Sequence, residues 1–307
     1  MGEKYRLVTR SDFDGLVCAV LLKELDLIDD ILFVHPKDMQ DGKIAITAKD
    51  ITTNLPYVAA AYLAFDHHES ELSRIKGTPA NHIISGHAPS AARVVYDYYG
   101  GKKAFPNITD DLMEAVDKGD SANFNMEEVL NPTGWPLLNF LMDARTGLGR
   151  FREFRISNYQ LMMNLIDHVA HMSIDDILKL PDVLERVELY EKYDKDFKEQ
   201  IKRCSTVYGH VVVLDLRNEE TIYPGNRFMI YALFPEAKIS IHEMWGFQKQ
   251  NTVFAVGKSI FDKSSQVNIG EIMLTYGGGG HSAAGTCQVP HDEAEAVLKK
   301  LIEALNK

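Results

Sequence analysis

Three groups of acidic and imidazole side chains follow apolar, strand-like segments in the first quarter of the chain. Asp12 and Asp14 come first, Asp50 stands alone, and an Asp-His-His run occupies residues 66–68. In an extended segment, residues two apart point the same way, so Asp12 and Asp14 can present both carboxylates to one place. Two adjacent carboxylates repel each other, and a hard divalent cation is the simplest way to keep both ionised. The spacing therefore indicates a divalent-metal site.

Simpler structural roles compete with this interpretation. Asp14 can cap the helix that follows it, and a single Asp such as Asp50 is typical of a turn. Tandem histidines are common on surfaces, but an Asp directly before them can fix the imidazole tautomer that a metal requires. Each group is a weak signal by itself. Together, in this order and at successive strand ends, they favour the metal site.

Strands and helices alternate in the first half of the chain, and these elements must position the acidic and imidazole groups. Apolar runs predict strands at 5–9, 31–34, 44–47 and 59–65, and helical spacing predicts helices at 16–25 and 90–99. Strands that alternate with helices indicate a parallel sheet with both faces covered. In such sheets functional residues collect at the carboxyl ends of the strands, which is where these groups stand.

The second half of the chain changes from helices to strands after Cys204. The pattern is helical over 109–180 and in an amphipathic helix after Pro181; strands are predicted at 210–216, 237–242, 252–256 and 286–289, and a last helix at 291–305. We therefore predict an α/β protein of three parts. They are an N-terminal parallel-sheet domain (1–180), a helical linker (181–204) and a smaller α/β domain (205–307).

The composition excludes several classes of protein. Lys and Arg number 33 against 44 Asp and Glu, so the formal net charge is -11. Because binding to long nucleic acid depends on basic side chains that neutralise phosphates, general coating of DNA or RNA is disfavoured. Three widely spaced cysteines give neither a zinc framework nor a disulfide scaffold. No apolar run approaches the roughly 18 residues that span a membrane, and no signal-peptide core is visible, so a cytoplasmic protein is expected.

Together these motifs make the sequence resemble the DHH phosphoesterases, a family named for its Asp-His-His motif. The matching residues are Asp12-Phe13-Asp14-Gly15, Asp50, Asp66-His67-His68, Asp120 within Asp117-Lys118-Gly119-Asp120, and the run GGGGHSAAG at 277–285. The glycine run resembles the signature of the DHH-associated domain. The match keeps the family's order over nearly the whole chain. It is closest in kind to the two-domain subgroup of small oligonucleotide phosphodiesterases and exopolyphosphatase-related proteins.

The resemblance implies a site for two manganese ions, with Mg2+ or Co2+ as alternatives. Asp50 would bridge the two ions and Asp12 would bind one of them. The ligands of the other ion would be Asp14, His67 and Asp120. Two such ions can share a water, lower its pKa and offset the charge on the attacked phosphate.

The resemblance also implies roles around the metals. Asp66 would orient the histidines, and His68 would face the substrate phosphate. Asp117 competes with Asp120 for the fourth motif, and a helix-surface charge is its simpler role.

The chain departs from the family pattern at Val8. Members with a fuller first motif carry a His at this position, four residues before the first Asp, and a Val cannot bind a metal. The departure puts one metal in doubt or requires a substitute ligand, for which His35 is the nearest candidate. A His before Pro is equally typical of a turn. Arg10 can pair with a carboxylate or contact a phosphate.

The glycine-rich run predicts an anion site in the second domain, because backbone amides without side chains can approach a phosphate or nucleotide closely. A flexible loop is the competing interpretation. Lys258 stands where family members often carry an Arg before a Ser, and its point charge lacks the bidentate fork of Arg. Arg227 is a weaker candidate. The predicted substrate-binding residues are Gly278, Gly279, Gly280, His281, Lys258 and Asn268.

The leading hypothesis is a metal-dependent phosphodiesterase that hydrolyses short oligonucleotides or linear dinucleotides to mononucleotides. The second domain would bind the far end of the substrate. A second hypothesis is an exopolyphosphatase or another phosphoanhydride or phosphomonoester hydrolase, which uses similar chemistry at phosphorus. A third, of another class, is a metal- or nucleotide-binding regulatory protein with little turnover. Neither long nucleic acid nor a membrane is expected as a partner, and a homodimer stays open.

Overall fold

The computed structural model describes residues 2–68, 71, 75, 77 and 79–307. These residues form two compact units. The first unit comprises the described residues of Met1–Phe124, Pro132–Ala144 and Leu148–Leu189, and the second comprises Asn125–Asn131, Arg145–Gly147 and Tyr190–Lys307.

The strands of the described residues belong to two sheets. In chain order they are β1 (Tyr5–Arg10), β2 (Ile28–Val34), β3 (Asp50–Thr53), β4 (Leu63–Asp66), β5 (His82–Ile84), β6 (Ser205–Tyr208), β7 (Val211–Asp215), β8 (Ile239–Trp245), β9 (Thr252–Lys258), β10 (Gly279–Gly280) and β11 (Ala284–Val289). The first sheet has the order β2-β1-β3-β4-β5 and is parallel throughout. The second has the order β10-β11-β9-β8-β7-β6 and is mixed. The predicted α/β fold class is confirmed.

Helices supply the connections and cover the sheets. In chain order they are α1 (Phe13–Glu24), α2 (Pro36–Gln40), α3 (Ala91–Tyr98), α4 (Asp110–Asp120), α5 (Met126–Leu130), α6 (Gly134–Met142), α7 (Asn158–Val169), α8 (Ile174–Ile177), α9 (Pro181–Cys204), α10 (Met229–Leu233), α11 (Ile269–Leu274) and α12 (Ala294–Leu305). Short 3-10 turns lie at Gly101–Lys103, Ala144–Thr146, Leu148–Arg150 and Phe247–Lys249. Helix α1 packs against β1 and against α3, α4 and α7, which is why it is apolar on all sides. No helix of the described residues is both long and apolar enough to cross a membrane.

The order of the first sheet reverses between β1 and β3. From β1 the chain continues to β2 on one side, whereas β3 and the later strands add to the other side. Ligands of open parallel sheets bind outside the carboxyl ends of the strands at such a switch point. Thr9 pairs with Thr53, so the residues that follow β1 and β3 stand side by side at this edge.

The second sheet buries one face against α11 and α12. Ile241 and Phe254 from the sheet, Met273 from α11 and Leu301 from α12 lie in one apolar cluster and are fully buried. Removal of such side chains from water stabilises the unit by about 25 cal/mol per Å² of apolar surface.

One predicted strand is wrong. Residues 44–47 form no strand, and the segment that joins the sheet is instead β3. The two isoleucines of the predicted strand are partly buried against the apolar cluster around Val8, so their pattern reflects packing of a loop rather than strand pairing. The shift matters because it places Asp50 at the beginning of a strand rather than beyond a strand end. The other predicted strands and helices correspond to observed elements whose ends differ by a few residues.

Candidate metal centre

Asp14, His67 and Asp120 converge at the carboxyl edge of the parallel sheet. Each offers one ligand atom, and these atoms lie within 4.8 Å of one another. His67 Nε2 is 2.9 Å from Asp120 Oδ2. The three residues come from the first turn of α1, the loop after β4 and the last residue of α4, so they meet only in the folded sheet.

The Asp14 carboxylate is buried and fixed by the beginning of α3. Ala91 N donates to its Oδ2 at 3.0 Å, and Ala92 N donates to its Oδ1 at 2.8 Å. Amides at a helix N-terminus lack intrahelical partners and favour a negative charge. Gly15 is required beside it, because a Cβ there would overlap the Arg10 carbonyl oxygen.

The His67 ring is oriented for metal binding. Its Nδ1 lies 3.3 Å from the Ala88 carbonyl oxygen, which can only accept, so Nδ1 carries the proton and Nε2 faces Asp120. Nε2 is buried without a hydrogen-bond partner, although the Asp120 oxygen is close. Two ligand atoms that lie close together without hydrogen-bond geometry suit a shared cation, and a metal-binding His commonly donates its other N–H to a carbonyl in this way. These residues therefore fit a divalent metal.

The electrostatics of the cluster also favour a cation. Burial raises the pKa of Asp14 well above its ordinary value, and the Asp120 carboxylate raises it further. Burial opposes ionisation of Asp120 too, but His67 holds the pKa of that carboxyl below its ordinary value. Burial acts against protonation of His67, yet the carboxylates around it raise its pKa to about 9. Two carboxylates and one imidazole suit Mn2+ or Mg2+ better than a metal that prefers thiolates.

The Asp66 carboxylate fixes the backbone and one ring of the histidine pair. The amides of His67 and His68 donate to its Oδ1 at 2.8 and 3.2 Å, and His68 Nδ1 lies 2.7 Å from the same oxygen. Asp66 thus holds the ring of His68, whereas the ring of His67 is held by a carbonyl. The His68 side chain is 25% exposed, so its ring is accessible from solvent.

Asp120 and Asp117 lie on the same helix but have different surroundings. Asp117 accepts from Arg93 Nε at 2.9 Å and from Ser90 Oγ at 2.7 Å, which gives it a structural role at the beginning of α3. Asp120 instead reaches His67. Between them Gly119 packs against α6, and a Cβ there would overlap the Asn139 side chain.

Asp12 stands beside the cluster and is held by neighbours of its own. Its Oδ2 is 2.8 Å from Arg10 Nε, and its Oδ1 accepts from Gly15 N at 3.0 Å and from Asn54 Nδ2 at 3.2 Å. Asp12, rather than Asp14, is the residue that caps α1.

Asn54 is a residue of this site that the sequence did not predict. It follows β3, is 1% exposed and has a φ of +54°. A signal was available, because Asn is among the residues that most readily adopt positive φ and this one precedes a Leu-Pro pair.

Besides Asp12, two predicted metal ligands lie outside the cluster. Asp50 is the first residue of β3, at the amino end of the sheet, where Arg6 Nε and Thr47 N each donate to it at 2.6 Å. His35 is exposed and caps α2, with its Nδ1 accepting from Lys37 N at 3.1 Å. The structure does not bring either residue to the Asp14, His67 and Asp120 cluster, because strand register fixes Asp50 at the other end and the cap occupies the His35 ring.

The glycine-rich run of the second unit forms a tight hairpin rather than an open loop. Gly279 and Gly280 make up β10, which pairs antiparallel with β11. A Cβ on Gly278 would overlap the Thr286 carbonyl oxygen, and one on Gly280 would overlap the Ala284 carbonyl oxygen. Close backbone packing therefore requires these two glycines independently of any anion.

The remaining predicted substrate-binding residues meet around the end of this hairpin. Asn268 caps α11, and Gly270 N in the first turn of that helix donates to the His281 carbonyl oxygen at 2.8 Å. Lys258 ends β9, and its Nζ donates to the Ser265 carbonyl oxygen at 3.0 Å. The structure thus brings Lys258, Asn268 and His281 to one region, and substrate binding there stays a prediction.

The chain is similar to a solved enzyme over its whole length. It is 68% identical to the pGpG-specific phosphodiesterase PggH from Vibrio cholerae, and the match covers 99% of each chain with a TM-score of 0.85. This chain belongs to the DHH phosphoesterases. The predicted family is confirmed, and this DHH phosphoesterase is a phosphoric ester hydrolase.

A more distant likeness is to RecJ from Thermus thermophilus in complex with Mn2+. RecJ is 11% identical to this DHH phosphoesterase, and the match covers 98% of this chain and 52% of the RecJ chain with a TM-score of 0.46. A likeness at that level supports no argument. No protein-family model and no curated protein matches the chain.

Proposed function

We propose that this DHH phosphoesterase hydrolyses a linear dinucleotide, pGpG, to mononucleotides and that it depends on a divalent metal, with Mn2+ preferred. The observation that carries the proposal is the 68% identity to a pGpG-specific phosphodiesterase over 99% of both chains. The convergence of Asp14, His67 and Asp120 supports the metal dependence. The net charge of -11 suits a short substrate better than a long polyanion.

Asp14, His67 and Asp120 would hold the cation. Held by these residues, a divalent cation would supply a water of lowered pKa and positive charge beside the phosphate. Two amides at the beginning of α3 hold Asp14, and the Ala88 carbonyl holds the His67 ring. The ligand atoms are therefore positioned before a cation binds, which reduces the cost of ordering them.

His68 and Arg10 are placed to contact the phosphate. Asp66 fixes the His68 ring, so its exposed side can donate a proton to the oxygen that leaves phosphorus. Arg10 is 32% exposed, and its guanidinium, which pairs with Asp12 through Nε, can offset the phosphate charge. Hydrolysis adds one water across the phosphodiester: its oxygen and one hydrogen remain on phosphorus, and the other proton goes to the released oxygen.

The direct test is a substrate panel with purified full-length protein that has been stripped of metal with a chelator. We expect conversion of pGpG to GMP on addition of Mn2+ and no conversion in EDTA, with products identified by chromatography. His67→Ala should reduce turnover at least about a hundredfold, because a metal ligand is removed. That loss rules out a contaminating nuclease, and His171→Ala, which changes an exposed His outside the cluster, should keep full activity as the matched control.

The same panel contains the outcomes that contradict the proposal. Cleavage of polyphosphate or 3′-phosphoadenosine 5′-phosphate without action on any dinucleotide would replace the phosphodiesterase proposal. Tight binding of pGpG with no turnover in Mn2+, Mg2+ or Co2+ would favour a regulatory protein.

A further inference from the structure

From the contacts around Asp12 we infer that each chain binds one divalent cation, and that the Arg10 guanidinium supplies the positive charge that a two-metal centre would take from its second ion. The inference deepens the proposed function and rests on it. It departs from the two-ion centre that the family resemblance implies.

Of the residues predicted to hold a second ion, only Asp12 stands beside the Asp14, His67 and Asp120 cluster. Val8 replaces a His ligand and is fully buried in an apolar cluster. Strand β3 ends with Thr52 and Thr53, and the residue that follows it is Asn54 rather than a carboxylate. Asp50 lies at the other end of the sheet with Arg6, and His35 follows β2 but uses its Nδ1 to cap α2.

Both carboxylate oxygens of Asp12 already have partners. Arg10 Nε lies against Oδ2, and Gly15 N and Asn54 Nδ2 donate to Oδ1. A second ion would have to displace Arg10 and the Asn54 amide to bind a single carboxylate. One carboxylate is a poor site for Mn2+ or Mg2+, which take most of their affinity from several charged oxygen ligands.

Asn54 cannot stand in for a bridging carboxylate. It presents its NH2 group to Asp12, and the opposite orientation would set two acceptors against each other. Its Oδ1 is buried without a hydrogen-bond partner, but a neutral amide oxygen does not bring the negative charge that bridging two divalent ions needs.

One ion together with Arg10 leaves the edge close to neutral without making it positive. Asp12, Asp14, Asp66 and Asp120 together carry four negative charges when ionised, and one divalent cation with Arg10 carries three positive charges. A second divalent ion would reverse the sign and leave an excess of one positive charge in a partly buried pocket. The planar guanidinium of Arg10 carries N–H donors in a fork that can match a phosphate bidentately.

The test is metal stoichiometry, which does not depend on turnover. Metal-free full-length protein is dialysed to equilibrium against MnCl2, and bound manganese is measured by mass spectrometry and by electron paramagnetic resonance. We expect one Mn2+ per chain at saturation and an uncoupled six-line spectrum. Two Mn2+ per chain with an exchange-coupled spectrum would overturn the inference and leave the proposed function intact. No bound Mn2+ together with pGpG hydrolysis in EDTA would overturn both the inference and the metal dependence.

A pair of matched variants tests the role of Arg10. Arg10→Gln should keep one Mn2+ per chain and lower kcat for pGpG at least about tenfold, with partial recovery in Arg10→Lys. Arg6→Gln makes the same change four residues earlier on β1, where the partner is Asp50, and should leave both the stoichiometry and kcat unchanged. A wild-type kcat in Arg10→Gln would overturn the role assigned to the Arg10 charge.

A double variant tests why the second ion is excluded. Arg10→Gln with Asn54→Asp releases Asp12 and adds a carboxylate at the end of β3. We expect this variant to bind a second Mn2+. A stoichiometry of one would overturn the claim that Arg10 and Asn54 keep the second ion out.

Discussion

The carboxyl edge of the parallel sheet and the glycine-rich hairpin both resemble ligand sites in the sequence, but they differ in the structure. At the edge, His67 Nε2 and Asp66 Oδ2 are buried without hydrogen-bond partners, and acidic groups face each other. In the hairpin, the backbone groups that were expected to bind a phosphate form hydrogen bonds with one another. Gly279 pairs with Thr286 in the ladder, and His281 N donates to the Ala284 carbonyl oxygen at 2.7 Å.

The difference shows which of the two sequence patterns, acidic and imidazole groups or a glycine run, is the better indicator of a ligand site. Buried polar atoms nearly always find a partner within the protein, so atoms left without one indicate where an outside partner binds. Glycine is a weaker signal, because the same residue serves any place where two backbones approach closely. By this criterion the sheet edge is the better candidate for the reactive region, and the hairpin glycines are required by backbone packing.

The largest expected effect separates two aspartates of α4. Asp120→Asn removes a proposed metal ligand and should lower kcat/KM for pGpG at least about a hundredfold, whereas Asp117→Asn should keep activity within about threefold, because Asp117 serves Arg93 and Ser90. The measurement is steady-state hydrolysis with Mn2+.

Thermal unfolding controls for loss of fold in this pair. Mn2+ should raise the Tm of the wild type and of Asp117→Asn but not that of Asp120→Asn, because a ligand that binds only the folded state stabilises it. Equal losses of activity in the two variants would mean that the edge is not the reactive region.

The next effect separates two glycines of the hairpin. Gly278→Ala forces a Cβ against the Thr286 carbonyl oxygen and should lower the free energy of unfolding by about 2–3 kcal/mol. Gly279→Ala meets no atom within 4 Å and should change stability by less than about 0.5 kcal/mol and KM for pGpG by less than about threefold. Urea denaturation and steady-state kinetics measure both. A large rise in KM for Gly279→Ala would restore the hairpin as a phosphate site.

The last prediction concerns a buried carboxyl group of the second unit that has a charged partner. Glu243 is 2% exposed, and burial raises its pKa to about 7 although Arg217 Nη1 lies 2.9 Å away. Because this folded-state pKa exceeds the ordinary 4.5, the contribution of Glu243 to stability is present below pH 4.5 and is lost as pH rises through 7. In the wild type, titration of Glu243 should lower the free energy of unfolding by up to about 3 kcal/mol between about pH 5 and pH 8. Glu243→Gln should remove this decrease.

Glu219→Gln is the matched control for that change. The hydrogen bond from Arg203 lowers the pKa of Glu219 to about 2, so this carboxylate is ionised throughout the same pH range. The variant should keep the wild-type pH dependence in urea titrations at the two pH values. Identical slopes in Glu243→Gln and the wild type would show that Glu243 does not titrate there.

Several elements of this fold can be predicted from local sequence. Alternating strands and helices predicted the parallel sheet, and Ser90 predicted the beginning of α3, because these depend on periodicity and capping within a few residues. The family resemblance also implied Asp14, His67 and Asp120 as ligands of one ion, and the structure brings these three together. The domain boundaries and the substrate-binding residues of the second half stay predictions.

Other features were decided only by tertiary structure. Asp50 and Asn54 are four residues apart, and from the sequence either could have followed a strand. The strand register, which pairs Arg6 with Asp50, places Asp50 at the amino end of the sheet and Asn54 at the carboxyl end. Asp117 and Asp120 are both acids of one helix, and the packing of Arg93 against the first decides that the second faces His67. Strand register and helix packing depend on partners that are distant in the sequence, and the local residue types do not indicate which partners these are.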